Sequence, residues 1–478
     1  MAFWNRRRSI ERITAFEGGS RLRPTMSWPH LIALGVGAIV GTGIYTLIGV
    51  GAAKAGPAVM LSFMIAGAVC VFAALAYAEL ATMIPASGSA YTYSYAALGE
   101  LLAWVIGWSL ILEYSLVVSA VAVGWAGYFS GFLDSVGWGL PAALTSGPFG
   151  TETPGIVNLP AVGIVGVVAG MLMLGTRESA TINAVLVVVK VAALVAFVAI
   201  AAPHFDPANL QPFMPFGFGK SLDANGVEVG VMAAAAIIFF AFYGFDAVST
   251  AAEETRNPGR DLTIGIVGSM AVCILIYLVV AAAAVGSMPF TRFAGSDEPL
   301  AFIARTLGND TAATVIAGAA IVALPTVLLA FMYGQSRIFF VMARDGMLPR
   351  GLAKVSEKRG SPVLMTGVTA VLMAIIAGLF SLGELAALAN AGTLAAFVAV
   401  GAALIVLRLQ QPERPRLFKA PAWPLVGTGA ILGCLYLFVS LPMSTQVNFF
   451  IWNAAGLVLY LLFARRNTRL AKGEEPAA

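Results

Sequence analysis

The sequence predicts an all-α polytopic membrane protein with twelve transmembrane helices, and its composition is the first reason. Of the 478 residues, 59% are hydrophobic and only 11% are charged, and the mean hydropathy is +0.88. A water-soluble protein of this length needs far more polar surface. The second reason is that the apolar residues fall into twelve runs, each about the ~20 residues that a helix needs to cross the hydrocarbon of a bilayer.

The twelve segments divide the chain into a core and several additions. A basic tail at 1–27 precedes a ten-helix core at 28–407, two further helices lie within 422–464, and a second tail follows at 465–478. Segments 3 and 8 exceed the minimal span and are expected to be tilted. The expected limits of the segments are 28–52, 57–84, 98–131, 157–175, 181–202, 229–252, 262–286, 311–343, 362–380, 384–407, 422–441 and 446–464.

The charges of the loops predict the orientation. Twenty-two lysines and arginines fall on the side of the two termini, and only Lys54, Lys220, Arg292 and Arg305 fall on the other side. Loops rich in lysine and arginine stay in the cytoplasm, so both termini are expected there. The net charge of +4 follows from this bias, and the basic runs are expected to face anionic membrane lipid. Nucleic acid is therefore not an expected partner.

Segment 1 carries glycines at positions 35, 37, 41, 43, 49 and 51. Glycine weakens a helix and lets backbones approach closely, so the cluster around Gly41 and Gly43 indicates either tight packing against a neighbouring helix or an interruption of the helix. An interruption leaves peptide groups without partners, which a membrane tolerates only where protein or a water-filled cavity satisfies them. Such a break is a natural binding site for a small zwitterion.

Segment 6 repeats this feature. It is interrupted midway by Tyr-Gly-Phe-Asp at 243–246, and Gly244 lies 203 residues after Gly41. A similar offset relates segment 2 to segment 7 and segment 5 to segment 10, so 28–202 and 229–407 are expected to be two copies of one five-helix unit. Because five is odd, the copies form a 5+5 inverted repeat. Paired glycine-interrupted helices in inverted halves indicate the binding site of a transporter.

Five ionisable residues lie inside the predicted spans, and each needs a partner or a purpose because a charge near the centre of a membrane helix costs ~2.5 to 3.5 kcal/mol on translocon scales. They are Glu79, Glu113, Lys190, Asp246 and Arg337. Lys190 lies about nine residues into segment 5, or ~14 Å along the axis, which is too deep to reach water easily. Burial disfavours the charged amine, so Lys190 is a candidate for binding and releasing a proton.

Lys190 has a second interpretation, as a permanent cation held by carbonyl groups of an interrupted helix or by Asp246. A fixed ammonium group could then take the place of a sodium ion beside the unwound helix. Glu113 and Asp246 are the possible counter-charges, and Tyr277 in segment 7 is a possible hydroxyl relay. Glu79 lies nearer the cytoplasmic end of segment 2 and is expected to make a structural hydrogen bond.

Several features are expected near the cytoplasmic face. Arg337 is expected to reach that face, and Glu253 and Glu254 could cap or gate the end of segment 6. The loop at 85–95 is rich in hydroxyl groups and has no positive charge, so it fits either an inner gate or an interfacial belt of tyrosines. The cysteines lie in apolar runs without the spacing of a metal site, so no metal and no cofactor is expected.

Several motifs together resemble the amino acid-polyamine-organocation permeases, and most closely the bacterial members of their cationic amino acid transporter subfamily. The motifs are Gly-Val-Gly-Ala-Ile-Val-Gly-Thr-Gly-Ile at 35–44, the loop at 85–95, Glu113-Tyr114, Gly-Phe-Asp at 244–246 with Ala-Glu-Glu-Thr-Arg-Asn-Pro at 252–258, and Tyr-Gly-Gln-Ser-Arg at 333–337. The resemblance implies a LeuT-like fold in which segments 1 and 6 are unwound around the substrate. It also implies a location in the bacterial cytoplasmic membrane.

The resemblance further implies roles for residues at the two breaks. The amides of Thr42 and Gly43 would hold the carboxylate of an amino acid, carbonyl groups in both segments would hold its ammonium group, and Phe331 would face its side chain. Lys190 matches the segment 5 lysine of the proton-coupled or sodium-independent branch. The residues expected to bind substrate are Ile39, Gly41, Thr42, Gly43, Phe240, Tyr243, Gly244 and Phe331, with Met332 as the alternative to Phe331.

On these grounds the chain is expected to be a secondary active amino acid transporter that carries a free amino acid with a proton by alternating access. A large apolar residue such as Phe331 favours a neutral substrate, whereas the subfamily name implies lysine or arginine. A sodium-coupled symporter or an amino acid exchanger would have the same motifs and would differ only in the role of Lys190. A channel normally repeats polar rings along its pore and is less favoured, and no catalytic constellation supports an enzyme. A small single-span protein partner is left open.

Overall fold

The computed structural model describes residues 6–11, 26–84, 88–149, 154–174, 180–250, 255–349 and 363–473. The described chain is mainly helical, and one short antiparallel sheet pairs β1 (Ser221–Leu222) with β2 (Glu228–Val229). By length and composition, eight of the described helices can cross a membrane, and four shorter apolar helices accompany them. These features make the chain a multi-pass helical membrane protein.

The described residues of the first half of the chain form eight α-helices. They are α1 (Trp28–Ile39), α2 (Thr42–Tyr45), α3 (Leu47–Ala55), α4 (Val59–Met83), α5 (Ser89–Ala97), α6 (Glu100–Ser135), α7 (Leu159–Leu174) and α8 (Ala180–Ala201). Helices α1 to α3 occupy predicted segment 1, and α4, α6, α7 and α8 occupy segments 2 to 5. Helix α5 lies in the loop that was not predicted to be helical.

The second half contains eleven described α-helices. They are α9 (Val231–Ile238), α10 (Phe245–Thr250), α11 (Pro258–Ser287), α12 (Pro299–Thr306), α13 (Asp310–Ala323), α14 (Pro325–Arg344), α15 (Val363–Leu379), α16 (Leu382–Gln410), α17 (Trp423–Ser440), α18 (Met443–Leu459) and α19 (Arg465–Asn467). Helices α9 and α10 occupy segment 6, α13 and α14 occupy segment 8, and single helices occupy segments 7 and 9 to 12. Each predicted segment therefore contains helix, and the number of membrane crossings stays a prediction.

Segment 1 is interrupted at its glycines. Helix α1 ends at Ile39, Val40 is extended with φ −71° and ψ 99°, Gly41 has φ −152° and ψ −147°, and helical structure resumes at Thr42. The last backbone bond of α1 runs from the N–H of Val40 to the carbonyl of Val36, at 2.8 Å. The backbone of segment 1 therefore changes direction at Val40 and Gly41.

Segment 6 is interrupted in a different way. After Ile238 a single 3-10 turn covers Phe239–Phe242, Tyr243 is extended with φ −63° and ψ 151°, and Gly244 has φ +110°. A positive φ of this size is readily adopted only by glycine. The helix then resumes at Phe245, so both interruptions predicted from the sequence are present.

Segment 8 has a local irregularity at Pro325, although Leu324 keeps helical dihedrals of φ −63° and ψ −34°. Helix α13 ends at Ala323 and α14 begins at Pro325. Proline has no N–H to donate and its ring crowds the preceding turn. The hydroxyl of Thr326 instead donates to the carbonyl of Ala323, at 2.7 Å.

The core is formed around α6 and α11. Helix α6 contacts α2, α5, α7, α13, α14, α15 and α16, and α11 packs against both α1 and α4. Helix α6 therefore contacts segment 1 after its break, and α11 contacts both segment 1 and segment 6.

Candidate functional site

The two interrupted segments cross each other in the interior, and glycine makes the crossing possible. A Cβ atom on Gly43 would lie 2.3 Å from the Cα of Ala241, and one on Gly244 would lie 2.7 Å from the carbonyl carbon of Ala38. Any side chain at either position would push the two backbones apart. The sequence analysis treated close packing and helix interruption as alternatives, whereas here the glycines serve both purposes.

A small cavity of about 230 Å³, including its open mouth, lies at this crossing. Seven of the eight residues predicted to bind substrate line it. Gly244, the exception, packs behind the cavity against Ala38, and the alternative Met332 is not among the lining residues. The lining residues are Ala38, Ile39, Gly41, Thr42, Gly43, Val117, Val121, Phe240, Tyr243, Val327 and Phe331.

Part of the cavity lining, here called its apolar end, consists of side chains from two other helices. Val117 and Val121 come from α6, and Val327 and Phe331 come from α14. The ring of Phe331 lies 5.3 Å from that of Tyr114, which fixes its position. The sequence analysis missed all three valines, because a valine in an apolar run has no signal that separates a pocket position from a core position.

Tyr277 joins the carbonyl groups of the two breaks. Its hydroxyl lies 2.8 Å from the carbonyl oxygen of Ile39 and 3.0 Å from that of Ala241. Because a hydroxyl has one proton, it can donate to only one of them at a time. One break carbonyl is therefore left with spare acceptor capacity. The sequence analysis predicted a hydroxyl relay, and the described contacts place this hydroxyl on the break carbonyls.

Lys190 lies fully buried beside the first break. Its ammonium group donates to the carbonyl of Gly37 and to the hydroxyl oxygen of Thr326, each at 2.9 Å. The carbonyl belongs to the last turn of α1, and Thr326 follows Pro325 in segment 8. Lys190 thus bridges α8 to interrupted segment 1 and to segment 8, and a carbonyl of an interrupted helix was one of the partners left open by the sequence.

Tyrosine hydroxyl groups connect the backbone of Lys190 to two other helices. The hydroxyl of Tyr45 donates to the main-chain carbonyl of Lys190, at 2.8 Å, and the hydroxyl of Tyr128 donates to the carbonyl of Tyr45, at 2.6 Å. A chain of contacts therefore connects α6, α2 and α8.

Glu113 and Asp246 form a second group of ionisable side chains, and both are buried. The two carboxyl groups are close enough to interact electrostatically. The hydroxyl of Tyr114 approaches Asp246 at 3.5 Å, and the Oε2 atom of Glu113 has no hydrogen-bond partner among the described residues. Two neighbouring acids in apolar surroundings are suited to sharing a proton or holding a cation.

Asn390 is a site residue that the sequence analysis missed. Its amide group donates to the carbonyls of Ala236 and Ile237, at 2.6 and 3.0 Å, and its carbonyl oxygen accepts from the hydroxyl of Tyr243. It therefore ties α16 to the last turn of α9 and to the second break. Its sequence signal is an asparagine within an apolar segment, where a polar amide needs hydrogen-bond partners. Ionisable residues alone do not reveal it.

Glu79 belongs to a structural network of charged residues. Its carboxylate accepts from Arg408 at 2.8 Å, from Arg416 at 3.0 Å and from the N–H of Ala420 at 2.7 Å. These contacts agree with the expected structural role and tie α4 to α16 and to the loop after it.

Helix α5 settles one of the alternatives for its loop. All of its residues are buried, and the hydroxyl of Tyr91 donates to Asp345, at 2.8 Å. An interfacial belt of tyrosines is therefore wrong for this loop, because its rings pack inside the protein. Residues 85–87, Glu253, Glu254 and the side chain of Arg337 lie outside the part of the chain that the structure describes.

Comparison with known proteins identifies the family. The amino acid permease family matches residues 26–463. The chain is 46% identical to the branched-chain amino acid permease BcaP of Bacillus subtilis, over 97% of this chain and 98% of that protein. It is 41% identical to the methylthioribose transporter of the same organism, over 98% and 99%. It is 36% identical to the vacuolar cationic amino acid transporter 2 of Arabidopsis thaliana, over 85% of this chain and 63% of that protein.

These matches confirm the resemblance to the amino acid-polyamine-organocation permeases, and with it the expectation of a transporter that is not an enzyme. Two of the similar proteins are bacterial, and the plant cationic amino acid transporter matches at lower identity. The chain belongs to the amino acid permease family.

Proposed function

We propose that the protein is a secondary active transporter that carries a neutral aliphatic amino acid together with a proton. The observation that supports this most strongly is the cavity between the two interrupted segments, which is lined by residues of both breaks and by apolar side chains of α6 and α14. An amino acid needs both kinds of group, because its charged carboxylate and ammonium groups adjoin an apolar side chain.

The charged end of the substrate is proposed to bind at the breaks. The amides of Thr42 and Gly43 begin the outer half of segment 1, where N–H groups have no partners within the helix, and they suit a carboxylate. The carbonyls of Ile39, Phe240 and Tyr243 suit an ammonium group. Tyr277 leaves one of the Ile39 and Ala241 carbonyls free to accept, which supports this arrangement.

The apolar end favours a neutral side chain. Val117, Val121, Val327 and Phe331 provide no group that could pair with a charge, and burying an unpaired cation is costly. The 46% identical relative is named for branched-chain amino acids, which fits this end. Lysine and arginine, the substrates implied by the name of the plant relative, fit it poorly.

Lys190 is proposed to couple transport to a proton. Its amine holds the last turn of α1 through the carbonyl of Gly37, so loss of its proton weakens the contact that fixes the first break. Glu113, Asp246 and Tyr277 remain the proposed partners of this step. A sodium-coupled symporter and an exchanger are the alternatives within the same fold.

The membrane arrangement is part of the proposal. Twelve crossings in two inverted repeats of five and two added helices place both termini in the cytoplasm of a bacterium. The distribution of lysine and arginine supports this orientation.

The test uses the purified protein in liposomes and radiolabelled leucine. An inward proton gradient is expected to drive accumulation, and a sodium gradient at constant pH is expected not to. Unlabelled isoleucine and valine should compete, whereas lysine, arginine and methylthioribose should not. Uptake driven by sodium alone, or competition by methylthioribose but not by isoleucine, would overturn the proposal.

A variant pair tests the coupling residue. Lys190→Ala is expected to lose accumulation driven by protons, whereas Lys220→Ala, in an outer loop, should keep it. If Lys190→Ala still binds and accumulates leucine with an unchanged pH dependence, Lys190 has only a structural role.

A further inference from the structure

The loop between α11 and α13, residues 288–309, lies on the outer side of the protein on the proposed topology and packs against α3, which follows the first break; we call it the outer lid. It contains a 3-10 turn, Phe290–Arg292, and helix α12. Helix α12 packs against α8 and α13. The lid residues Phe293, Leu300, Ala301, Ile303 and Ala304 are fully buried, so the lid is packed into the protein in this structure, and we call this packed arrangement closed.

Glu298 is buried at the beginning of the lid helix, where only 8% of the residue is exposed. One carboxylate oxygen accepts from Arg305 at 2.8 Å. The other, Oε2, is buried and has no hydrogen-bond partner among the described residues. The carboxyl group packs on Gly131 of α6, where a Cβ would lie 2.4 Å from Oε2. The closed lid thus buries the carboxyl group of Glu298 against α6, and its Oε2 atom makes no hydrogen bond among the described residues.

The surroundings of Glu298 disfavour its negative charge. Burial raises the pKa of Glu298, Arg305 opposes this, and Asp134 and Asp297 raise it further. Burial also raises the pKa of Asp297, whose Cβ lies 2.8 Å from the position of a Cβ on Gly127.

Other titratable groups near the lid come from the helices packed against it. Tyr128 of α6 interacts electrostatically with Glu298 and lies against the backbone of Leu300. His204 after α8 and Asp310 at the start of α13 are exposed, and the sequence of α11 has no charged residue after Asp261.

The lid is also connected to the proposed coupling residue. Tyr128, which lies against Leu300 of the lid, donates to the carbonyl of Tyr45, and Tyr45 donates to the carbonyl of Lys190. The hydrogen bonds of Tyr128 with Tyr45 and of Tyr45 with Lys190 therefore connect the lid to the backbone of Lys190.

We propose that Glu298 is a second proton-binding group of this transporter and that a proton taken from the outer solution holds the lid closed. The proton adds to Oε2, the oxygen that has no hydrogen-bond partner among the described residues, and neutralises a buried carboxylate that only Arg305 pairs with. The proposal rests on the proposed function and topology.

The direction of the effect follows from linkage. A carboxyl group on an open lid is hydrated, so its proton affinity is ordinary, whereas the closed lid has the higher affinity. Protons therefore favour closure. The stabilisation of the closed lid is fully present below the open-state pKa and is lost as the pH rises through the closed-state pKa.

The test measures lid opening in full-length protein in liposomes. Ala304→Cys places a thiol on the buried face of the lid, and Thr306→Cys places one on its exposed face. A membrane-impermeant maleimide labels each from outside, and the ratio of the two rates removes the effect of pH on thiol reactivity. The ratio of Ala304→Cys to Thr306→Cys is expected to be at least ~threefold lower near pH 5.5 than near pH 8.

Two variants decide the role of Glu298. Glu298→Gln, which imitates the protonated acid, should keep the ratio low at both pH values, whereas the control Asp310→Asn should behave as the parent. Asp134→Asn removes a nearby negative charge, so it should move the midpoint to lower pH, and it serves if Glu298→Gln does not fold.

A ratio that does not change with pH in the parent overturns the proposal, and so does an unchanged pH dependence in Glu298→Gln or an unmoved midpoint in Asp134→Asn. Proton-driven leucine uptake with any of these results means that only the lid inference fails. A pH-dependent lid without leucine uptake means that the proposed function fails.

Discussion

Replacing Gly43 by alanine tests whether the contact between the two breaks is needed for binding. The added Cβ would lie 2.3 Å from the Cα of Ala241, where ordinary contacts are at least 3.4 Å, so the segments must part by about 1 Å. Overpacking of this kind costs ~1 to 3 kcal/mol. If the cost falls on the arrangement that binds substrate, the affinity drops ~5- to 150-fold.

The assay is equilibrium binding of radiolabelled leucine to the purified protein, with thermal unfolding measured on the same samples. Gly318→Ala is the matched control, because a Cβ there meets nothing within 4 Å and alanine is the better helix former by roughly 0.5 to 1 kcal/mol. If Gly43→Ala binds leucine as tightly as the parent, the close contact of the two breaks is not needed for binding. An equal loss of affinity in Gly318→Ala would likewise refute the role of this contact.

Three further predictions concern residues outside the lid. Asn390→Ala leaves the carbonyls of Ala236 and Ile237 without their donor, so a loss of ~1 to 3 kcal/mol for each buried group should lower the unfolding temperature and leucine affinity together. Unchanged unfolding would contradict the contacts described. Glu79→Gln leaves two arginines partly unpaired, and breaking a buried pair costs ~3 to 5 kcal/mol. Its unfolding temperature should therefore fall well below that of Glu11→Gln, whose side chain is 70% exposed; equal values would argue against the network. Phe331→Ala enlarges the apolar end, so competition assays should show a preference shifted from valine towards phenylalanine. An unchanged order of preference would place Phe331 away from the substrate side chain.

The sequence predicted the helical breaks because glycine has physical consequences that depend on position. Gly41 and Gly244 stand midway through apolar segments, where a helix former would otherwise be expected. The offset of 203 residues between them strengthened the prediction. The irregularity at Pro325 had an equally local signal, because proline removes a backbone donor from a helix.

The partners of the site residues could not be predicted in the same way. The contact of Lys190 with Gly37 and Thr326 joins three segments, and no local pattern encodes which carbonyl a lysine reaches. Val117 and Val121 are chemically identical to the core valines around them. Asn390 could have been found, since an amide in an apolar segment needs partners as surely as a charge does.

The most direct test of the account is the position of a bound amino acid in an experimental structure of the protein with leucine. We expect the carboxylate within hydrogen-bond distance of the amides of Thr42 and Gly43. The ammonium group should lie at the carbonyls of Ile39, Phe240 and Tyr243, and the side chain against Val327 and Phe331. Leucine bound elsewhere, or held by only one of the two interrupted segments, would contradict it.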